Sequence, residues 1–534
     1  MAEYRGPAKG AKASECSESF EIFISIARLI QQRDWQGYEM PKLHPLLQPF
    51  SPTADDPFDA FKAAHLLNRA GFGGTPEEIE HVMSLGPLRA ADELLDFPEA
   101  GADEQSRTDV PDLSSIDGYP KSFRDLRQMY VGKTPEERKR LQQKFQMANR
   151  EAMLATIGWW MKRMTFGPHP LQEKLTLFWH GHFTTSAKEE RAASLMWNQN
   201  ELLRRFAAGN FRDFVRQVSR DPAMLDYLNN SQNRKAKPNE NYARELMELF
   251  TLGIGNYSET DIKESARAFT GWAHDGDDFV FRKFDHDDGQ KTFMGHRGNW
   301  DGDDIIDIIL MNPACAPYIG QKLWTFFAYE DPEPLLVQGL GNMFREAKFE
   351  LRPLLRTMLT SRAFYSERAI ASQIKSPIQL VCGTVRLLGL KSPDPRFVFG
   401  ALQQMGQVPL MPPNVKGWPG GRMWINTSTL FVRYNTAVML AGGGGQIAPA
   451  SGRAAGAKVL RGLRGGGSAG EYQATPAGSA EQSVDEWIAR LIQRPIADEK
   501  KQTLIDALGN RPDNKDAIKK MIQLIVSMPE YQLC

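Results

Sequence analysis

The sequence predicts an almost wholly α-helical protein, a large multi-helix globular domain with one small β-hairpin-like element near its centre. Three observations carry this. Helix start signals recur: Thr75-Pro76-Glu77-Glu78 and Thr134-Pro135-Glu136-Glu137 each place Thr at the N-cap, Pro at the first helical position and Glu at the third. Apolar residues then return at helical spacing, as in Leu141, Phe145, Ala148, Ala152, Ala155 and Trp159. Strand signals are scarce, the best being DDFVFRKFDH at 277–286, where Phe279, Phe281 and Phe284 suggest a short extended or hairpin element.

Residues 1–57 read as a leader carrying an amphipathic helix, FEIFISIARLI. Arg5, Lys9 and Lys12 precede that run, but Glu21 and Arg28 interrupt it and no small-residue cleavage site follows, so it does not read as a signal peptide. The main helical domain spans 58–440. After the helices opened at Thr75 and Thr134, further helices are expected at 171–179, 194–208, 211–219 and 240–252. Ser258-Glu259-Thr260-Asp261 opens another, which Gly271 stops. The pattern continues at 302–311, 315–329, 333–346, 351–360 and 374–389. Residues 441–482, rich in Gly, Ala and Ser, read as a flexible insert. Helical periodicity returns at 483–494, 498–508 and 514–527, a C-terminal segment that either forms a small lobe or, as expected here, docks on the main domain.

Composition bounds the function. Lys+Arg and Asp+Glu both total 65, so the formal net charge is zero, which argues against general affinity for nucleic acid or anionic membranes. No stretch is long and apolar enough to span a bilayer. The cysteines, Cys16, Cys315, Cys382 and Cys534, are far apart and suggest no disulfide framework. Cys534 reads as a free, exposed thiol. No Walker or HExxH signature is present, and no GxSxG or GxGxxG run stands in the strand–turn–helix setting of a nucleophile elbow or a dinucleotide fingerprint.

Four constellations could carry chemistry. In FWHGHFTTS (178–186), His180 and His182 flank one glycine. On a continuing helix they point in different directions; if Gly181 ends the helix, both imidazoles share a face and can converge on a metal. In PNENYARELMELFTLGIGNY (238–257), Asn241, Arg244, Glu245 and Glu248 lie on one side of a helix beginning near Glu240. Two carboxylates at ExxE spacing reach one centre in helical metal proteins, or form a solvated face with Arg244 paired to Glu248. FDHDDGQKTFMGHRGNWDGDD (284–304) gathers carboxylates with His286-Asp287 after the strand-like segment, while Asp301 suits the cap of the following helix. PPNVKGWPGGRMWINTSTL (412–430) sets Trp418 and Trp424 on a rigid Pro/Gly loop, suited to ligand stacking or to lid packing, with Asn414 within it and Asn426 as a helix cap.

Taken in order, HLLNRAGFGGTPEEIEHVMSLG (65–86), FWHGHFTTS, ENYARELMELFTLGIGNY with ARAFTGW after it, HDDGQKTFMGHRGNWDGDDIIDIIL, PPNVKGWPGG and MPEYQLC resemble the bacterial DUF1800 family from roughly residue 58 to 534. The resemblance implies no settled activity. It implies frequent export to the periplasm or beyond, and a working relationship with a sulfatase-like protein encoded nearby. This chain departs from the pattern in lacking a clear export signal, and in carrying Phe250 where some members have His.

Two functions follow as expectations. The first is a metal-dependent helical enzyme, hydrolytic or oxidative. Glu245 and Arg244 would be its catalytic residues, and Asn241, Asn414, Trp418 and Asn426 would line the substrate pocket. His180, His182 and Glu248, with His286 or Asp287, would hold Zn, Mn or Fe. The second is a non-catalytic binding or scaffold protein, a partner of the sulfatase-like product, in which Arg244, Glu245, Glu248 and the histidines form a buried ion network.

Overall fold

A computed structural model describes residues 44–98, 110–189, 192–442, 479–509 and 514–534. The expected leader helix and nearly all of the expected insert lie outside these residues. The described chain is helix upon helix, with two small antiparallel hairpins. Both Thr-Pro-Glu-Glu runs form complete capping boxes, opening helices Pro76–Leu95 and Pro135–Phe166. Ser258 caps Glu259–Ala268, Asp301 caps Gly302–Met311 and Asn426 caps Thr427–Leu440 in the same way. In each case a side chain satisfies first-turn amide groups that have no partner inside the helix.

The core joins distant parts of the sequence. Trp160 and Ile157 of Pro135–Phe166 belong to one apolar cluster with Val381 of Pro377–Leu387 and Leu402 of Pro395–Met405. Val484, Trp487, Met521 and Ile525, from helices Ala480–Leu491 and Lys515–Val526, belong to the same cluster. Cys534 is a free thiol, but it is buried rather than exposed. The chain end pairs back on 373–375: the Gln373 amide donates to the Cys534 carbonyl and the Cys534 amide to Gln373.

Strand Trp272–His274 pairs with Phe279–Phe281, with Ala273 opposite Val280. The expected element is therefore the second arm of a hairpin whose first arm, in GWAH, gave no strand signal; Phe284 falls in a 3-10 turn outside it. A second hairpin, Lys291–Phe293 with His296–Gly298, turns at Met294 (φ 47°) and Gly295 (φ 82°), two left-handed residues of the kind such tight turns require. Helices Ala60–Ala70 and Pro395–Met405 also lay outside the expected set. The expected helix 240–252 is two pieces: an α-turn, Asn241–Glu245, and a π-helix, Leu246–Thr251. Among the described residues no helix is long and apolar enough to cross a membrane.

Candidate functional site

The helix Pro170–His182 runs through Gly181 and ends only at Phe183, whose amide donates to the Trp179 carbonyl at 2.7 Å. The expected exit at Gly181 does not occur. Residues two apart on a helix are separated by about 200°, so the imidazoles diverge. His180 packs between Trp160 and Trp418, with ring centroids 5.7 and 5.4 Å away. His182 packs among Phe178, Phe183 and Phe250. At Gly181 a Cβ would meet only the Trp418 ring, at an ordinary 3.6 Å; the tight contact is at Gly417. The 412–421 loop lies flat on this helix end, and Gly417, at φ 82°, sits so close that a Cβ there would be 2.1 Å from the Gly181 carbonyl oxygen.

Burial lowers the pKa of both histidines, but their hydrogen bonding differs. His180 is fully buried with no hydrogen-bond partner at Nδ1 or Nε2, and burial pushes its pKa down to about 3. It is a neutral ring among indoles. His182 Nε2 lies 2.9 Å from the Phe250 carbonyl oxygen, so Nε2 carries the proton and donates. Its Nδ1 then accepts from Lys322 Nζ at 3.3 Å. Burial, and then the Lys322 charge, keep its pKa well below that of an ordinary histidine. Both nitrogens of His182 are therefore committed within the protein.

The carbonyl groups that receive these donors belong to the π-helix. The last carbonyls of any helix lack intrahelical donors. Here Leu249 O accepts from Tyr318 Oη at 2.9 Å and Lys322 Nζ at 3.2 Å, while Phe250 O is taken by His182. Tyr318 and Lys322 stand on helix Cys315–Phe327, far from these carbonyls in sequence. Burial lowers Lys322 to a pKa of about 8.

On the same π-turn, Glu248 accepts from Tyr257 Oη at 3.0 Å. Burial and this carboxylate push the Tyr257 hydroxyl up to about 12. Glu245, half-buried at the α-to-π junction, has no hydrogen bond or ion pair to any described residue. Its carboxyl is raised above the ordinary range by burial and then by Glu248, with Arg244 and Lys416 opposing that shift. Lys416 stands on the loop that carries Trp418, so this loop, the π-turn and the two helix faces meet around Glu245 and Glu248.

Other expected residues are engaged elsewhere. Arg244 pairs not with Glu248 but with Glu259, through two contacts of 2.9 Å, and with Glu240. Asn241 donates from Nδ2 to the Leu228 carbonyl. His286 is buried with Nδ1 2.8 Å from the Thr270 carbonyl oxygen, and Asp287 is held by Arg267, which keeps its carboxyl below the usual range. Asn414 closes its own turn by accepting from the Lys416 amide, and Asn426 is the helix cap. Among the described residues no three His, Cys, Asp or Glu side chains are grouped so as to hold a metal ion. The expected ligands His180, His182, Glu248, His286 and Asp287 thus do not meet at one centre. Tyr318, Lys322 and Lys416 were not anticipated. The available signal was Lys322 in QKLWTFF, a lone cation in an aromatic helical run.

Comparison with curated proteins and with solved structures returns no match to either. The model of one family, described as a protein of unknown function (DUF1800), matches residues 65–533, nearly the whole chain. The chain therefore belongs to the DUF1800 family.

Proposed function

We propose that this protein is a hydrolytic enzyme whose proton-transferring group is Glu245. One observation carries the reading. A half-buried carboxyl with no partner among the described residues, its pKa raised by burial and by Glu248, is a candidate for general acid–base work. The surroundings support it. Lys416 brings positive charge from the loop, where an anionic or carbonyl oxygen of a substrate would need it, and Trp418 stands two residues further along the same loop. Tyr318, Lys322 and His182 are positioning residues: they hold the π-turn on which Glu248 stands. A purely structural role calls for a buried ion network, yet Arg244 turns to Glu259, and neither Glu245 nor Glu248 is ion-paired among the described residues.

A second reading, a metal-dependent hydrolase, has its own support. Two neighbouring carboxylates without a cation in ion-pair contact are relieved by a divalent ion, and carboxylate oxygens suit such ions. In that case Glu245 and Glu248 are the protein ligands.

The test is a panel of chromogenic carboxylate, phosphate and sulfate esters and glycosides, run on the native protein and on Glu245→Gln. Turnover of at least one substrate is expected, falling by about 100-fold or more in the variant while its circular dichroism is unchanged. Native turnover that Glu245→Gln leaves intact, or none across the panel, overturns the hydrolytic proposal. Near-stoichiometric metal in native protein, lost on changing Glu245 and Glu248 to Gln, selects the second reading.

A further inference from the structure

A cleft of about 580 Å³ opens between helices Pro135–Phe166, Ala193–Arg205 and Phe211–Arg220 and the turn of the first hairpin. None of its lining residues belongs to the Glu245 site, so what it binds is independent of that site. A cleft of this size accommodates a small organic ligand.

Its walls specify what kind. Trp159 and Trp197 pack with centroids 4.2 Å apart, and Trp197 is only half-buried, so an indole is presented to the opening. Three guanidinium groups, Arg163, Arg205 and Arg220, line the cleft together with the carboxylates of Glu201, Asp277 and Asp278. A free anion or cation entering here meets as many like charges as unlike ones. A neutral molecule with many hydroxyl groups suits so mixed a wall, because each hydroxyl both donates and accepts, even where Arg163, Arg220 and Glu201 are already bonded to Glu173, Asp303 and Arg204.

Asp221 also lines the space. It is 6% exposed, and its Oδ2 accepts from Gln199 Nε2 at 2.7 Å and from the Met224 amide at 2.9 Å. No described residue donates to its Oδ1. Burial lifts this carboxyl to about 7, so it can serve as donor or acceptor. Arg205 has no partner among the described residues, and Asn198 and Gln217 add planar amides that donate and accept.

We propose that this cleft binds an uncharged saccharide, with a sugar ring against Trp197 and its hydroxyls shared between the guanidinium and carboxylate groups. The test uses the full chain and four probes: maltohexaose, cellohexaose, chitohexaose and, as the acidic comparison, hexa-galacturonate. Tryptophan fluorescence and saturation-transfer NMR read the binding. Saturable binding of at least one of the three neutral oligomers is expected. Trp197→Ala should weaken it about tenfold, and Asp221→Asn should weaken it as well. Trp418→Ala, at the other site, should leave it unchanged. No saturable binding of a neutral oligomer, binding of the galacturonate alone, or binding that survives Trp197→Ala overturns the proposal. If Trp197→Ala proves misfolded by circular dichroism, the NMR contact map on native protein decides. Saturation transfer from aromatic protons to the sugar ring that a Trp197→Phe variant does not alter also overturns it.

Discussion

Replacing His180 with leucine tests whether its ring is an unpartnered passenger or a ligand awaiting something. In the structure the imidazole sits between Trp160 and Trp418 with neither nitrogen hydrogen-bonded. A buried polar atom left unpaired costs about 1–3 kcal/mol, so an apolar side chain of similar size should recover part of that. Loss of the ring contacts takes back about 0.5–1.5 kcal/mol. His180→Leu is therefore expected to lie within about 1 kcal/mol of the native protein near pH 7. The pH dependence is more telling. The folded-state pKa is about 3, below the ordinary 6.5, so the unfolded chain binds a proton that the folded chain excludes. This group costs no stability above about pH 6.5. The cost grows as pH falls from there toward 3, at about 1.4 kcal/mol per unit. At about pH 5 it amounts to about 2 kcal/mol, which the leucine variant does not carry. His65 and His182, also lowered mainly by burial, are unchanged and cancel in the comparison. Urea denaturation of both proteins at about pH 7 and pH 5 measures it. The leucine variant should gain on the native protein as pH falls. If it is several kcal/mol less stable at neutral pH, or if the difference is independent of pH, the nitrogens of His180 have a partner and the reasoning fails.

Glu173, 1% exposed, accepts from Trp160 Nε1 and from Arg163 and Arg204; burial alone would raise its carboxyl, but the two guanidinium groups hold it below the usual range. Glu173→Gln leaves those cations partly uncompensated and should cost about 3–5 kcal/mol in chemical denaturation; a loss under about 1 kcal/mol would mean that the arginines find other partners. Gly417→Ala places a methyl against the Gly181 backbone at a left-handed residue and should cost at least about 2 kcal/mol. The Trp418 emission should shift as the loop lifts, and an unshifted spectrum with native stability would contradict the packing.

The fold was legible where its signals are local. Capping boxes at Thr75, Thr134 and Ser258 and the caps at Asp301 and Asn426 each depend on a few adjacent residues, and each stands where the sequence places it. Gly181 misled because a glycine near a helix end ordinarily marks an exit, whereas this helix continues to His182 and packs against Gly417 of the 412–421 loop, a contact no local pattern records. The Met294-Gly295 turn was missed because its dipeptide is not one of the Asn-Gly or Asp-Gly pairs that announce a tight hairpin. Of the residues proposed for the site, Glu245 and Glu248 stand out in the sequence by their ExxE spacing. Lys322 does not, because its contacts to His182 and Leu249 span 140 and 73 residues of sequence.

The π-winding of Leu246–Thr251 joins these points. A π-turn is intrinsically less favourable than an α-turn and persists where something else stabilises it, frequently at functional sites. Here the stabilisation is visible: Tyr318, Lys322 and His182 each donate to one of its terminal carbonyls, and the Thr251 hydroxyl donates to the Leu246 carbonyl. Three of these donors come from two other helices, so the winding is imposed by tertiary contacts rather than by the local sequence. A wider turn rotates every residue after Glu245 relative to an α-helix. Glu248 is thereby brought to Tyr257 and kept out of the i, i+4 pairing with Arg244 that an uninterrupted α-helix would favour. His182 thus bonds to the backbone of the π-turn that carries Glu248. The FWHGHF and ENYARELMEL segments are coupled by that hydrogen bond, and a shared metal is not needed to explain why they meet.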